Sequence, residues 1–203
     1  MLDLPRIATA MNASPDPRVL LTLGAEGVSL ALWQRGLPDG LAAWLDGLPL
    51  EQLPRMRRTL PSAKVADAVR AACREAGATA CADALAEEVA TIARQATMAL
   101  AAPMLEVRLS VSAGQPCPKW HVDAVPGRVL CTLRGPGTEF GPMDADGGAQ
   151  SVHQMARGSV GAFRGALWPG AGLAGIVHRS PPATDGAPRL LLVIDPVDDL
   201  GAC

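Results

Sequence analysis

No tyrosine occurs among the 203 residues, and two phenylalanines and four tryptophans make up the aromatic complement. With so few rings, no basic cluster is interleaved with aromatics. A net charge of -2 leaves no electrostatic footprint for nucleic acid either, so no nucleic-acid partner is expected. Long apolar runs are missing too. The strongest, Leu190 to Ile194, is strand-sized and far short of a bilayer span, so no membrane partner is expected. The opening residues Met1-Leu-Asp-Leu-Pro-Arg6 lack the basic start and apolar stretch of a signal peptide. The five cysteines are odd in number and show no Cys-x-x-Cys spacing, which favours reduced thiols over a disulfide framework. The cytoplasm is therefore the expected location. No Gly-Lys-Ser/Thr follows Gly135-Pro-Gly-Thr138, and Ser159 does not sit in a Gly-x-Ser-x-Gly elbow. Phosphate-loop and serine-hydrolase chemistry therefore have no support.

What is present describes a folded chain with a sizeable core: 49% of residues are hydrophobic and 19% charged. Residues 1–103 read as a mainly helical layer. Val19–Leu23 and Val28–Trp33 are short β-prone runs, and Leu41–Leu48 allows two helical turns. Ser62 is an N-cap candidate for a helix to about Ala76, stopped by Gly77. A longer helix is predicted over 79–100, with Leu85, Val89, Ile92, Ala96 and Leu100 at helical spacing and Pro103 beyond it. From residue 104 the texture changes. Leu105, Val107, Leu109 and Val111 alternate with polar residues, and short β-prone runs follow at Lys119–Val122, Arg128–Leu133, Ser159–Phe163, Leu173–His178 and Arg189–Ile194. The expected architecture is α+β: N-terminal helices packed on a jelly-roll β-core spanning 104–203, integrated as one domain.

That β region holds all three histidines. In extended backbone, residues two apart share a face, so His121 and Asp123 can converge on one point. A third donor must come from His153 or His178. His178 ends the run Leu173-Ala-Gly-Ile-Val-His178 and shares a face with Ile176, as expected of a strand delivering a side chain inward. Two histidines and a carboxylate make a facial set of metal ligands with open positions, the donor set of non-haem iron(II). The plainer alternative is two unrelated histidines and a structural aspartate. Cys117 allows a third arrangement, a closed Cys/His/Asp/His zinc site without catalysis. On the strand 128–133, Arg128, Thr132 and the following Arg134 share a face that either lines the core, where it can hold an acidic ligand, or meets solvent. The acidic loop Met143–Gly148 lacks the third ligand and closing glutamate of a calcium loop, and His153 beside it is read as a surface residue or a substrate contact.

The order helix, strand, His121-x-Asp123, strands, His178 and then Arg189 resembles the double-stranded β-helix (cupin-like) fold of iron(II)/2-oxoglutarate-dependent oxygenases. The resemblance implies that His121, Asp123 and His178 bind iron(II) and that a basic residue after the distal histidine binds the far carboxylate of 2-oxoglutarate. Arg189 stands in that place, with Arg128 and Thr132 as further candidates for the co-substrate. Arg179 is a rival by position, but it directly follows His178 and should face away. More closely, Trp120-His-Val-Asp123, Leu130-Cys-Thr132, Gly135-Pro-Gly-Thr-Glu139 and His178-Arg-Ser-Pro-Pro182 look like the signature of an uncharacterised bacterial family, domain of unknown function 1826. The resemblance implies a gene neighbourhood that includes zinc-homeostasis genes, so the alternative to an oxygenase acting on a small-molecule or protein substrate is, by that association, a non-catalytic zinc-binding protein. Many such oxygenases use a tyrosine to hold the co-substrate; with none here, Arg189 carries that expectation nearly alone.

Overall fold

A computed structural model describes residues 7–170, 172–182 and 187–197. In chain order its elements are β1 (Ile7–Ala8), β2 (Ala10–Ser14), a 3-10 helix (Pro17–Gly24), β3 (Val28–Trp33), α1 (Asp39–Gly47), β4 (Met56–Leu60), α2 (Val65–Glu75) and α3 (Ala82–Ala99). There follow β5 (Leu105–Ser112), β6 (Gly127–Arg134), β7 (Glu139–Pro142), β8 (His153–Gln154), β9 (Val160–Arg164), β10 (Leu173–Ala174), β11 (Ile176–Arg179) and β12 (Arg189–Pro196). Seven strands form one sheet in the order β2-β3-β9-β6-β12-β5-β4, three form a second, β11-β7-β8, and β1 pairs with β10.

Strand alternation sorts the large sheet into two faces. Val107, Leu109, Val129, Cys131, Leu190 and Leu192 point to the helices and join their apolar stripes in the main core. The stripe on α3, Leu85, Val89, Ile92 and Ala96, is fully buried there. Each such Leu or Ile contributes about 1.5–3 kcal/mol by leaving water. From the other face Leu30, Leu130, Phe163 and Val193 meet Phe140 and Ile176 of the small sheet in a second, smaller core. The helices thus cover one side of the large sheet and the small sheet covers the other.

Several local expectations change. Val19–Leu23 lies in the 3-10 helix rather than a strand, because Asp16 caps it (it accepts from the Arg18 N–H at 2.9 Å) and Pro17 presets the first turn. Ser62 caps nothing; it opens a 3-10 turn, with no side-chain capping bond, ahead of α2. Gly77, at φ 69°, ends that helix as expected. Residues 1–103 are not helical alone: β2, β3 and β4 are strands of the large sheet. Lys119–Val122 forms no strand; its ladder pairing is limited to an isolated bridge at His121. The run 173–178 divides at Gly175, where a Cβ would meet Ile7 Cγ2 at 2.4 Å and the Ala8 carbonyl at 2.7 Å. Two sheets are packed face to face, but among the described residues the strands do not close into a barrel. Among the described residues, no helix is long and apolar enough to cross a membrane.

Candidate metal centre

His121 stands in the irregular connection between β5 and β6, yet its backbone is fixed. It forms an isolated antiparallel bridge with His178 of β11, His121 N–H to His178 carbonyl at 3.1 Å and the reverse at 3.0 Å. The bridge brings the two rings to 4.6 Å between centroids. Asp123, two residues on, has its carbonyl held by the Ala166 N–H at 2.8 Å, which turns its carboxylate under both rings. One donor atom from each of His121, Asp123 and His178 lies within 4.8 Å of the others. Nε2 of His178 is 3.0 Å from Oδ2 of Asp123, and Nε2 of His121 is 3.6 Å from Oδ1. His178 and Asp123 are buried, whereas the His121 side chain is about one-third exposed (34%). One edge of the cluster therefore opens outward.

The donor set fits a divalent cation. Nδ1 of His121 lies 2.9 Å from the Lys119 carbonyl, which can only accept, so Nδ1 carries a proton there and Nε2 is the nitrogen left to face Asp123 or a cation. Among the described residues, Oδ2 of Asp123 is buried without a hydrogen-bond partner. An unpaired buried carboxylate oxygen beside an imidazole nitrogen is costly unless a cation takes both lone pairs. Burial works against the charge on Asp123, but the imidazoles of His121 and His178 and the Arg128 guanidinium outweigh it and hold the carboxyl well below the usual range. Asp123 in turn raises the His121 imidazole. Phe163 closes the inner side, its ring 4.8 Å from that of His178.

Arg189 opens β12 on the same face of the sheet and is 5% exposed. Its Nε donates to the Pro136 carbonyl at 2.9 Å and its Nη2 to the hydroxyls of Thr132 (3.1 Å) and Thr138 (2.9 Å). Gly135, at φ 80°, brings the 135–138 turn over it; a Cβ there would meet the Pro188 carbonyl at 3.2 Å. Among the described residues no carboxylate pairs with this guanidinium, and burial pushes it down to about 10. Arg179 behaves as strand parity requires, turning away to Glu139 at 2.7 Å and to the face of Trp120. His153 is exposed, with its ring near Ser151 and Phe140. Cys117 is exposed and stands outside the ligand cluster.

The face containing Arg128, Thr132 and Arg134 is split. Thr132 meets Arg189, and Arg128 directs its donors to Asp123 and Asp195. Arg134 lies past a bulge, where the register shifts between Leu190 and Leu191, and caps α1 through the Leu45 and Leu48 carbonyls. Thr138 and Asp195 are additions that sequence reasoning missed. Asp195 had a signal: it is a charged residue ending an apolar strand with the parity of Arg189. Thr138 had none beyond its place in a turn.

A family model described as a protein of unknown function (DUF1826) matches residues 14–195. No curated protein matches the sequence. Among solved structures, a dioxygenase for auxin oxidation from rice is 17% identical with a TM-score of 0.52, over 93% of this chain and 83% of that one. A prolyl-4-hydroxylase from Pseudomonas putida is 16% identical with a TM-score of 0.44, over 88% of this chain and 96% of that one. The dioxygenase for auxin oxidation 1 from Arabidopsis thaliana, in its 2-oxoglutarate complex, is 12% identical with a TM-score of 0.42, over 93% and 92%. The rice match shows a shared fold.

Proposed function

The chain belongs to the DUF1826 family of proteins of unknown function, and we propose that it is an iron(II)/2-oxoglutarate-dependent oxygenase that hydroxylates or demethylates a small-molecule or protein substrate. The observation that carries this reading is the convergence of two imidazoles and one carboxylate within 4.8 Å. With three protein donors, that set suits a metal that keeps open positions for ligands, and with Cys117 outside it a closed four-ligand zinc site is disfavoured. In this reading the seven- and three-stranded sheets are the two layers of a double-stranded β-helix, and the fold shared with the rice dioxygenase supports that.

Each residue then has a task. His121, Asp123 and His178 hold the metal, and the bridge between the histidines fixes two of the three before it arrives. Arg189 receives the far carboxylate of 2-oxoglutarate. A guanidinium that is buried, hydrogen-bonded to three neutral oxygens and without an acidic partner among the described residues is prepared for an anion. Thr132 and Thr138 orient its fork. Phe163 and Phe140 keep water from the inner side. When bound, iron(II) and 2-oxoglutarate would together supply oxygen activation coupled to loss of carbon dioxide.

The test is conversion of 2-oxoglutarate to succinate by the full chain with iron(II), with His121→Ala inactive. Absence of turnover across a broad substrate panel, together with no 2-oxoglutarate binding by calorimetry, would remove the assignment.

A further inference from the structure

We propose that Asp195, which lies outside the ligand set, is a positioning residue that acts through Arg128 to select the oxygen of Asp123 offered to the metal. The inference rests on the metal-centre reading above. Asp195 is 6% exposed and lies next to the end of β12, on the face that carries Arg189. It grips Arg128 at two points, Oδ1 accepting from Nε at 2.6 Å and Oδ2 from Nη2 at 2.8 Å. Arg108 of β5 donates to the same Oδ2 at 2.5 Å and fixes the carboxylate from its far side. A planar guanidinium held at Nε and Nη2 has no freedom left in the direction of Nη1. That remaining donor meets Oδ1 of Asp123.

The consequence falls on the other oxygen. With Oδ1 engaged, Oδ2 is the one that lies 3.0 Å from His178 Nε2 and, among the described residues, has no hydrogen-bond partner. Charge gives a second reason for the arrangement. Two arginines and two aspartates alternate through the row Arg108, Asp195, Arg128, Asp123, so the cation beside the ligands is neutralised from behind. Without the Asp195 charge, Arg128 would be free to swing onto both oxygens of Asp123 and would repel a divalent ion. The three strands that carry Arg108, Asp195 and Arg128 (β5, β12 and β6) are neighbours in the large sheet, so these three side chains meet diagonally across it.

The experiment is Mn(II) calorimetry on the metal-free full chain, with the Co(II) absorption spectrum as a second readout. Asp195→Asn is expected to weaken Mn(II) binding by about 10–100-fold, the usual effect of losing a residue that orients a metal ligand. Arg128→Gln cuts the same link from its other end and should lose a similar amount. The double variant should be no weaker than the weaker single, because both remove one device. Glu88→Gln, which breaks the part-buried pair with Arg35 between the end of β3 and α3, is the control for general loss of a part-buried ion pair and should leave Mn(II) affinity unchanged. Should Asp195→Asn not fold, Arg128→Gln is the variant that decides, and wild-type affinity there overturns the proposal. Tight binding by the wild type that survives Asp195→Asn overturns the role of Asp195 alone. A wild type that binds neither metal overturns the centre itself, and this inference with it.

Discussion

His121 and His178 are backbone partners: each accepts the other's N–H, at 3.1 and 3.0 Å, and their rings stand 4.6 Å apart. A site assembled by main-chain hydrogen bonds is formed before any metal arrives, so metal binding adds to the stability of a chain already folded. At 100 times its Kd, Mn(II) should stabilise the protein by about 2.7 kcal/mol. For a chain of this size that raises Tm by about 5–10 °C. Scanning calorimetry with and without a chelator reads the shift. In His178→Ala it should vanish while the metal-free protein still unfolds cooperatively.

Two arginines near the site are set apart by strand parity. Arg189 is buried against Thr132 and Thr138, whereas Arg179 lies on Trp120 and pairs with Glu139 on the opposite face. Arg189→Gln should weaken 2-oxoglutarate binding by about 2–5 kcal/mol, the cost of removing one partner from a buried charge pair. Arg179→Gln removes a part-buried contact on the side away from His178 and should change affinity by less than about 1 kcal/mol. Titration calorimetry of the two variants makes the comparison, and equal losses would contradict this division of roles.

The meeting of His121, Asp123 and His178 was legible because its information is local or scarce. His121-x-Asp123 is a two-residue pattern, and only His153 and His178 were left to complete it. Arg179 was set aside by parity, because it directly follows His178 on one strand, and Arg189 was favoured by its place after the distal histidine. What the sequence hid is whatever depends on a neighbouring strand. Asp195 reveals its task only when β5 and β6 flank β12 and deliver Arg108 and Arg128 to it. The bulge opposite Leu190 and Leu191 reverses Arg134, and no residue type marks it. β4 reads Met-Arg-Arg-Thr-Leu, a polar pattern that becomes a strand only because β5 offers it an edge. His121 reached its place through a single bridge, where continuous strand pairing was expected.

Thiol reactivity should follow burial. Burial pushes Cys73 up to about 11 and Cys131 up to about 12, while Cys117 is exposed. Iodoacetamide at mildly alkaline pH should therefore modify Cys117 long before Cys73 or Cys131, as peptide mass mapping would show. The same shifts carry a stability signature. Both folded values lie above the ordinary 9.0, so the stabilisation is complete below that pH and is lost as the pH climbs toward 11 and 12. Urea midpoints should fall above pH 9, and more shallowly when Cys73 and Cys131 are both replaced by alanine.

Gly165 fixes the backbone on which Asp123 depends. Its N–H donates to the Pro126 carbonyl at 2.9 Å, and the next residue, Ala166, donates to the Asp123 carbonyl at 2.8 Å. A Cβ at Gly165 would come to 1.8 Å from the Val125 carbonyl oxygen and 3.0 Å from that of Asp123. These are main-chain atoms that no rotamer change can move aside, so Gly165→Ala must push the 123–126 segment away from its turn. The expected cost is about 1–3 kcal/mol, as for other overpacked sites. Because Asp123 moves with the segment, Mn(II) affinity should fall along with stability. Gly40, near the start of α1, has nothing within 4 Å of its Cβ position. Gly40→Ala should therefore lower neither quantity, since alanine suits a helix better than glycine. Urea unfolding and Mn(II) calorimetry on the two variants separate a general glycine effect from displacement of the metal ligand, and normal affinity in Gly165→Ala would show that Asp123 is not held by this turn.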